Sequence, residues 1–269
     1  MLDSGTRLAD MMSLNLRFAM VRRFPRARPA AAFRCEGKGG RVAADQRTAV
    51  EEHTAAPFSE RLRAATWHRH TDAEEHGFTR ALLAGRLSRE GYAAMVAQHY
   101  FAYAALEEVA EALAEDPVAG PVVTRDLYRL PALRLDLAAL YGPHWAQAVR
   151  PSRPTTTYVA RIRQTLDWPA GYVAHHYTRY LGDLSGGQFI RRVAARSYGL
   201  GADAGAAFYD FGALGSLPAF KAAYRERLDA LPLDEGERER VIDETRLAYQ
   251  LNVEVLADLG RRHPADLAA

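Results

Sequence analysis

His70 and Glu74 stand four residues apart in the run Trp67-His68-Arg69-His70-Thr71-Asp72-Ala73-Glu74, a spacing that puts both on one face of a helix. From that position the carboxylate reaches one imidazole nitrogen, fixes the tautomer and leaves the other nitrogen free for a metal. A lone histidine is more often structural than a ligand. No second histidine or carboxylate stands at a spacing such as H-E-x-x-H, which argues against a metal cage built by the protein alone. Most of the nine histidines invite simpler roles. His53 and His263 fall in tails, His144 in a loop beside Trp145, and His99, His175 and His176 on helices.

A second chemical oddity is the segment Tyr177-Thr-Arg-Tyr-Leu-Gly-Asp-Leu-Ser-Gly-Gly-Gln188. It reads as helix on both sides, yet Gly182, Gly186 and Gly187 sit within it. Each glycine inside a helix costs about 1 kcal/mol relative to alanine. Gly182 and Gly186 share one face and leave a strip of bare backbone against which something flat or bulky can lie. Small residues four apart also let two helices pack closely, and a Gly-Gly pair often ends or kinks a helix. The neighbours favour a ligand: Tyr177, Arg179, Tyr180 and Asp183 are too polar for an ordinary seam between helices.

One histidine suffices for a metal whose four other ligands come from a porphyrin, and haem iron is commonly held by a single axial histidine. Haem is also a flat object of the kind the glycine strip accommodates, so the two oddities explain each other on opposite faces of one haem. Its two propionates need cations. Arg63 lies seven residues before His70, and Lys221 and Arg225 lie four apart with Tyr224 between them. Taken singly, each is most simply a solvated surface cation.

These residues require long helices, and the chain supplies the pattern for them. From about residue 57 the periodicity is helical, with stretches near 59–76, 89–114, 124–141, 155–167, 170–198, 217–230 and 234–261. Pro57-Phe58-Ser59 reads as a capped start to the first. Between the stretches stand Asp116-Pro117, Gly142-Pro143, Pro151 and Pro154, Pro169, Gly199 to Gly201 and Pro232. No alternating strand segments, βαβ rhythm or repeat appear. The expected fold is all-α, one domain over residues 51–262 with a tail at 263–269.

Composition is that of an ordinary globular chain, 48% hydrophobic and 25% charged over 269 residues. The formal net charge of +2 gives no general argument for nucleic acid. Cys35, the one cysteine, excludes an internal disulfide framework and any multi-thiolate metal site. No apolar run reaches membrane-spanning length, so the reading expects no membrane anchor, a cytoplasmic location and a monomer. Residues 1–50 carry ten Lys and Arg against four Asp and Glu. This leader is basic and acid-poor like an organelle transit peptide, but it has few serines and lacks sustained periodicity. It is read as a disordered extension from an upstream start, with Met11, Met12 and Met20 as rival starts.

The combination resembles the haem oxygenase family. The Tyr177–Gln188 segment is similar to that family's distal-helix signature, and His70-Thr-Asp-Ala-Glu74 to its proximal-helix motif. Tyr100–Glu108, Asp136–Trp145, Phe220–Arg225 and Arg240–Asn252 match further blocks in order, so the resemblance spans about 57–260. It implies haem sandwiched between a proximal and a distal helix, with His70 as axial iron ligand and Glu74 as its partner. Gly182 and Gly186 would let the distal helix approach the haem closely. Asp183, with Tyr103 and Arg179, would organise the water beside iron-bound O2, and Ser185 would line that pocket. Arg63, Lys221, Tyr177 and Arg225 would steer the propionates. Two positions depart from the pattern: Arg63 stands where lysine is common, and Tyr249 where animal members carry phenylalanine.

The activity so implied is cleavage of haem to biliverdin, ferrous iron and carbon monoxide, using O2 and electrons from ferredoxin or a flavoprotein reductase. Arg191, Arg192 and Arg196 offer a docking face for such a donor, although a solvated helix face is the default reading. The rivals are a haem carrier or sensor that holds haem without degrading it, and an all-α interaction protein without a cofactor. Mere storage needs neither Asp183 nor the two glycines.

Overall fold

The structure is a computed structural model that describes residues 56–75, 77–200 and 204–264, the side chains of 68–75 excepted. The basic leader 1–50, with Cys35 and the rival start sites, lies outside the described residues, as do 265–269 of the expected tail. So do the side chains of His70 and Glu74, which are placed by their helix alone.

The described residues belong to one compact unit, built from ten α-helices: α1 (Phe58–Glu75), α2 (Gly77–Leu83), α3 (Arg89–Ala112), α4 (Leu130–Tyr141), α5 (Trp145–Ala148), α6 (Arg153–Gln164), α7 (Pro169–His176), α8 (Gly182–Tyr198), α9 (Leu217–Asp229) and α10 (Glu235–Arg262). Among them there is no strand, and the all-α expectation holds. Six of the ten helix starts follow from capping side chains or first-turn prolines. The side chains of Ser88, Ser152, Ser216 and Asp234 each accept a hydrogen bond from a backbone N–H in the first turn of α3, α6, α9 and α10. Prolines stand in the first turn of α4, α6, α7 and α9, where no backbone N–H is missed.

The structure departs from the sequence reading at several points, among them two short helices, α2 and α5, that the reading did not include. The stretch expected at 124–141 becomes helix only at Leu130, after a 3-10 turn at Arg125–Leu127. The stretch at 170–198 is interrupted by a π turn at Tyr177–Leu181. Ser59 does not cap α1 from outside; it sits within the helix, and its N–H and Oγ donate to the Asp229 carboxylate at 2.7 and 3.0 Å.

α3 is the central helix, packed against α4 and α6, while α10 packs along α1, α7 and α6. Tyr92, Tyr103, Leu106 and Val109 of α3 are fully buried in the main core. Two polar clamps fix the helices that carry the candidate residues. Arg61 of α1 is buried and pairs with Glu235 (Nη1 to Oε2, 2.9 Å) and Glu239 (2.5 Å) at the start of α10. With Ser59 bound to Asp229, the first turn of α1 is tied to both α9 and α10.

The second clamp joins α6, α7 and α10. Arg161 donates twice to Glu244, at 2.8 and 2.6 Å, and His175 Nε2 lies 2.8 Å from the same carboxylate. Burial alone would raise the Glu244 pKa, but Arg161 and His175 outweigh it and hold the carboxyl at about 2. A carboxylate depressed by folding contributes stability that is complete above its unfolded value and is lost as pH falls toward the folded one. Glu244→Gln is therefore expected to lower stability at pH 7 by roughly 2 kcal/mol, less than for a fully buried pair because Arg161 is partly exposed. Urea unfolding of the two proteins at pH 7 and pH 4 measures this. An equal gap at both pH values would remove the ionised carboxylate from the account.

Candidate active site

α7, the π turn and α8 form one continuous helical rod from Pro169 to Tyr198. The widened turn carries one more residue than an α-turn, a feature often found at functional sites. Two hydroxyls flank it by bonding to carbonyls one turn back, Thr178 to Ala174 O (2.9 Å) and Ser185 to Leu181 O (2.7 Å). Such back-bonding bends helices. The irregularity thus precedes the glycines: Gly182 has helical dihedrals, and α8 runs unbroken through Gly182, Gly186 and Gly187.

The glycines do different things. A Cβ added to Gly182 would meet nothing within 4 Å, so this position borders open space. A Cβ on Gly187 would stand 3.0 Å from Cδ1 of Tyr209, so that glycine serves packing, the alternative that spacing left open. Gly186 is half-buried.

Asp183 follows the open glycine. Tyr103 of α3 donates its hydroxyl hydrogen bond to Oδ2 of Asp183. Arg179, one turn before Asp183, lies with its guanidinium 5.1 Å from the centre of the Tyr103 ring and donates from Nη1 to Oδ1 of Asn252 at 2.6 Å. The structure therefore brings Tyr103, Arg179 and Asp183 together. Burial pushes the Asp183 carboxyl above its usual range, against the opposing pull of Arg179 and Tyr103. Burial and the neighbouring carboxylate raise the Tyr103 phenol well above the usual value. A carboxyl raised in this way holds a proton more readily than one in water and can pass it on.

A second group of predicted residues gathers along the same stretch of the rod, at Tyr177 and Ser185. The Tyr177 phenol, raised by burial, lies within electrostatic reach of Arg63 on α1 and Arg225 on α9. Lys221, its pKa lowered by burial and by Arg225, donates to Ser185 Oγ at 2.9 Å. Among the described residues no carboxylate forms an ion pair with Arg63, Lys221 or Arg225. Three gathered cations without acidic partners suit an anionic ligand. Ser185 is exposed and contacts Lys221 and its own helix, so it joins this group rather than the Asp183 group. Tyr224 turns inward: its hydroxyl lies 2.8 Å from Nδ1 of His176 and its ring stacks on that imidazole. Burial holds His176 at a pKa of about 3, hence neutral, and the contact fixes α9 against α7.

Sequence reasoning missed Asn252, Tyr158 and Phe208. Asn252 anchors Arg179; it lies in a recognised block, where a polar residue on a largely buried helix face was the available signal. Tyr158 is buried within reach of both Arg179 and Asp183. Phe208 packs edge-on against Tyr103 with centroids 5.1 Å apart, on a loop with no periodic signal. The contrast between glycines yields a test. Gly182→Ala should stabilise the ligand-free protein by up to about 1 kcal/mol through helix propensity. Gly187→Ala should gain less or lose, because Tyr209 has to move. Thermal melts that rank the two variants the other way would overturn the assignment of Gly182 to open space.

Comparisons with known proteins agree with this fold. The family model described as Heme oxygenase matches residues 56–258. The chain is 37% identical over 203 residues to Heme oxygenase 1 of Nostoc sp., covering 75% of this chain and 85% of that protein. It is 39% identical over 205 residues to Heme oxygenase 1 of Homo sapiens, covering 75% and 71%. The crystal structure of heme oxygenase-1 from Synechocystis sp. in complex with heme superimposes with a TM-score of 0.75 at 35% identity, covering 78% of this chain and 95% of that one. A family model that spans three quarters of the chain, together with relatives of this similarity, decides the matter: the chain belongs to the haem oxygenase family.

Proposed function

We propose that this enzyme opens haem to biliverdin, releasing ferrous iron and carbon monoxide, with O2 and electrons supplied by ferredoxin or a flavoprotein reductase. The observation that carries the reading is the position of Asp183, a half-buried carboxyl bound to Tyr103 and neighboured by Arg179, immediately beside the open face of Gly182. Open backbone with no side chain to fill it is the space a flat macrocycle needs, and the unpaired cations at Arg63, Lys221 and Arg225 suit its two carboxylates. The residues present thus fit haem.

In this reading His70 of α1 would hold the haem iron and Glu74 would orient the His70 imidazole. Arg63, Tyr177, Lys221 and Arg225 bind the propionates and set the angle at which haem lies. Ser185 acts through Lys221, which it holds in place. Gly182 and Gly186 provide clearance, and Asp183, Tyr103 and Arg179 hold and move protons on the distal side. Haem supplies the iron at which O2 is activated. A raised, hydrogen-bonded carboxyl is suited to delivering protons there; a carrier that merely holds haem has no use for one.

No described helix is long and apolar enough to cross a membrane; in the proposed reading the protein is a cytoplasmic monomer working with a diffusible donor. Arg192 and Arg196 are exposed on α8 and form the docking face for an acidic donor, whereas Arg191 pairs with Asp210 at 3.2 Å.

Mixed with hemin, a reductant and air, the purified protein is expected to lose its Soret band and yield biliverdin. Asp183→Asn should bind hemin with near-normal affinity and form biliverdin at least about 100-fold more slowly, the scale of a lost proton-transfer group. Biliverdin formation by this variant at the normal rate would remove Asp183 from the chemistry, and a wild-type protein whose haem never turns over would sink the enzymatic reading. With ferredoxin as donor, the rate should fall with ionic strength and with Arg192→Glu. A rate indifferent to both would rule out docking on α8.

A further inference from the structure

His99 lies on α3 one turn before Tyr103, and nothing described so far uses it. Its ring packs on Phe208 with centroids 5.3 Å apart, and Phe208 in turn packs edge-on against Tyr103. The imidazole Nδ1 is buried with no hydrogen-bond partner. Around it are other buried polar atoms in the same condition: Nε and Nη2 of Arg179, the Tyr158 hydroxyl and the Tyr209 hydroxyl. All of these belong to one neighbourhood. His99, Tyr158 and Tyr209 each lie within electrostatic reach of Arg179, and the two tyrosines also within reach of Asp183.

Buried polar groups are nearly always satisfied, by protein or by ordered water. Arg179 can only donate; the Tyr103 hydroxyl is within reach of one of its N–H groups, and the others require further acceptors. Phenols both donate and accept, whereas an unprotonated imidazole nitrogen is an acceptor alone. We infer that His99 is a positioning residue for the Asp183 site: its unprotonated Nδ1 accepts a hydrogen bond, relayed by water, from the buried guanidinium of Arg179 and holds that group over Tyr103. The charged and titratable groups gathered there are Arg179 of the π turn, Tyr103 of α3 itself, Asp183 of α8, Tyr158 of α6 and Tyr209 of the 3-10 turn Ala207–Tyr209. A second cation in this space would repel Arg179. Burial and the Arg179 charge keep the imidazole neutral by holding its pKa well below the usual histidine value. With Nδ1 accepting, the ring proton resides on Nε2.

The tautomer is measurable without haem. In protein labelled with 15N-histidine, the His99 resonances are assigned by their loss in His99→Phe. They should show a neutral ring protonated at Nε2, with no titration between about pH 5.5 and 8. A midpoint near 6.5, or a proton on Nδ1, would overturn the inference. A second arm rests on the proposed haem oxygenase reaction. His99→Phe keeps an aromatic ring against Phe208 but removes the acceptor. It should slow biliverdin formation roughly fivefold with hemin affinity unchanged, well short of the loss of a direct proton donor. His99→Asn, whose Oδ1 stands where Nδ1 was, should recover most of that rate. Equal rates in wild type and His99→Phe, or a His99→Asn variant no better than His99→Phe, would refute the positioning role. Failure of the wild type to make biliverdin would refute the proposed reaction instead, and the labelling arm would still decide the role of His99.

Discussion

Arg179 carries a permanent positive charge with only 6% of its surface exposed, and such a charge must be compensated inside the protein. Compensation comes from three different elements. Asn252 of α10 accepts one hydrogen bond, the Tyr103 ring of α3 offers its negative face, and Asp183 of α8 supplies the opposite charge. Burial alone would lower the affinity of the guanidinium for its proton, yet the phenol and the carboxylate more than offset that cost. The same arrangement explains why the Asp183 carboxyl is raised less than burial would demand. Three helices are thereby committed to one spacing, and the clamps formed by Arg61 and Glu244 hold the surrounding helices at the distances this requires.

The π turn makes that convergence compatible with an open face. Arg179 and Asp183 straddle its end, and Gly182 stands between them with nothing packed over it. Had α7 simply continued into α8, the extra residue would be absent and the side chains after it would be turned by about 100° relative to those before it. Gly187, one turn further on, instead receives Tyr209. Tyr209 belongs to a segment anchored by Asp136, which accepts from the N–H groups of Gly205, Ala207 and Phe208 at 2.7, 2.8 and 2.8 Å. One glycine therefore borders open space and the other admits the protein.

Helical periodicity and punctuation carried most of the fold, because long amphipathic segments bounded by proline, glycine and capping residues leave little choice of structure. The π turn was not legible, since it differs from α-helix by a single residue and Tyr177–Leu181 has no compositional mark. The short helix α2 was hidden for a similar reason, being too brief for a period. In the site, Asp183, Arg179 and the rim cations were found through the signature block and the need of a dicarboxylate for cations. Asn252, Tyr158 and His99 escaped because they act across helices far apart in sequence. Spacing along one helix cannot show which residues of another will face it.

The cations around the site divide into two populations, and the division bears on what the site does. Arg63, Lys221 and Arg225 stand near the surface without carboxylate partners among the described residues, so their charge is available to a ligand. Arg179 is interior and already compensated, so its charge is unavailable for binding and acts on Asp183 instead. In the proposed reading, binding affinity comes from the rim without disturbing the proton balance within, and the interior shifts a proton between phenol and carboxyl without weakening the hold on the ligand. A protein selected only to retain haem gains from the rim alone. Maintaining a buried guanidinium, a half-buried carboxyl and a convergence of three helices costs stability, and the proposed chemical change of the bound molecule accounts for that cost.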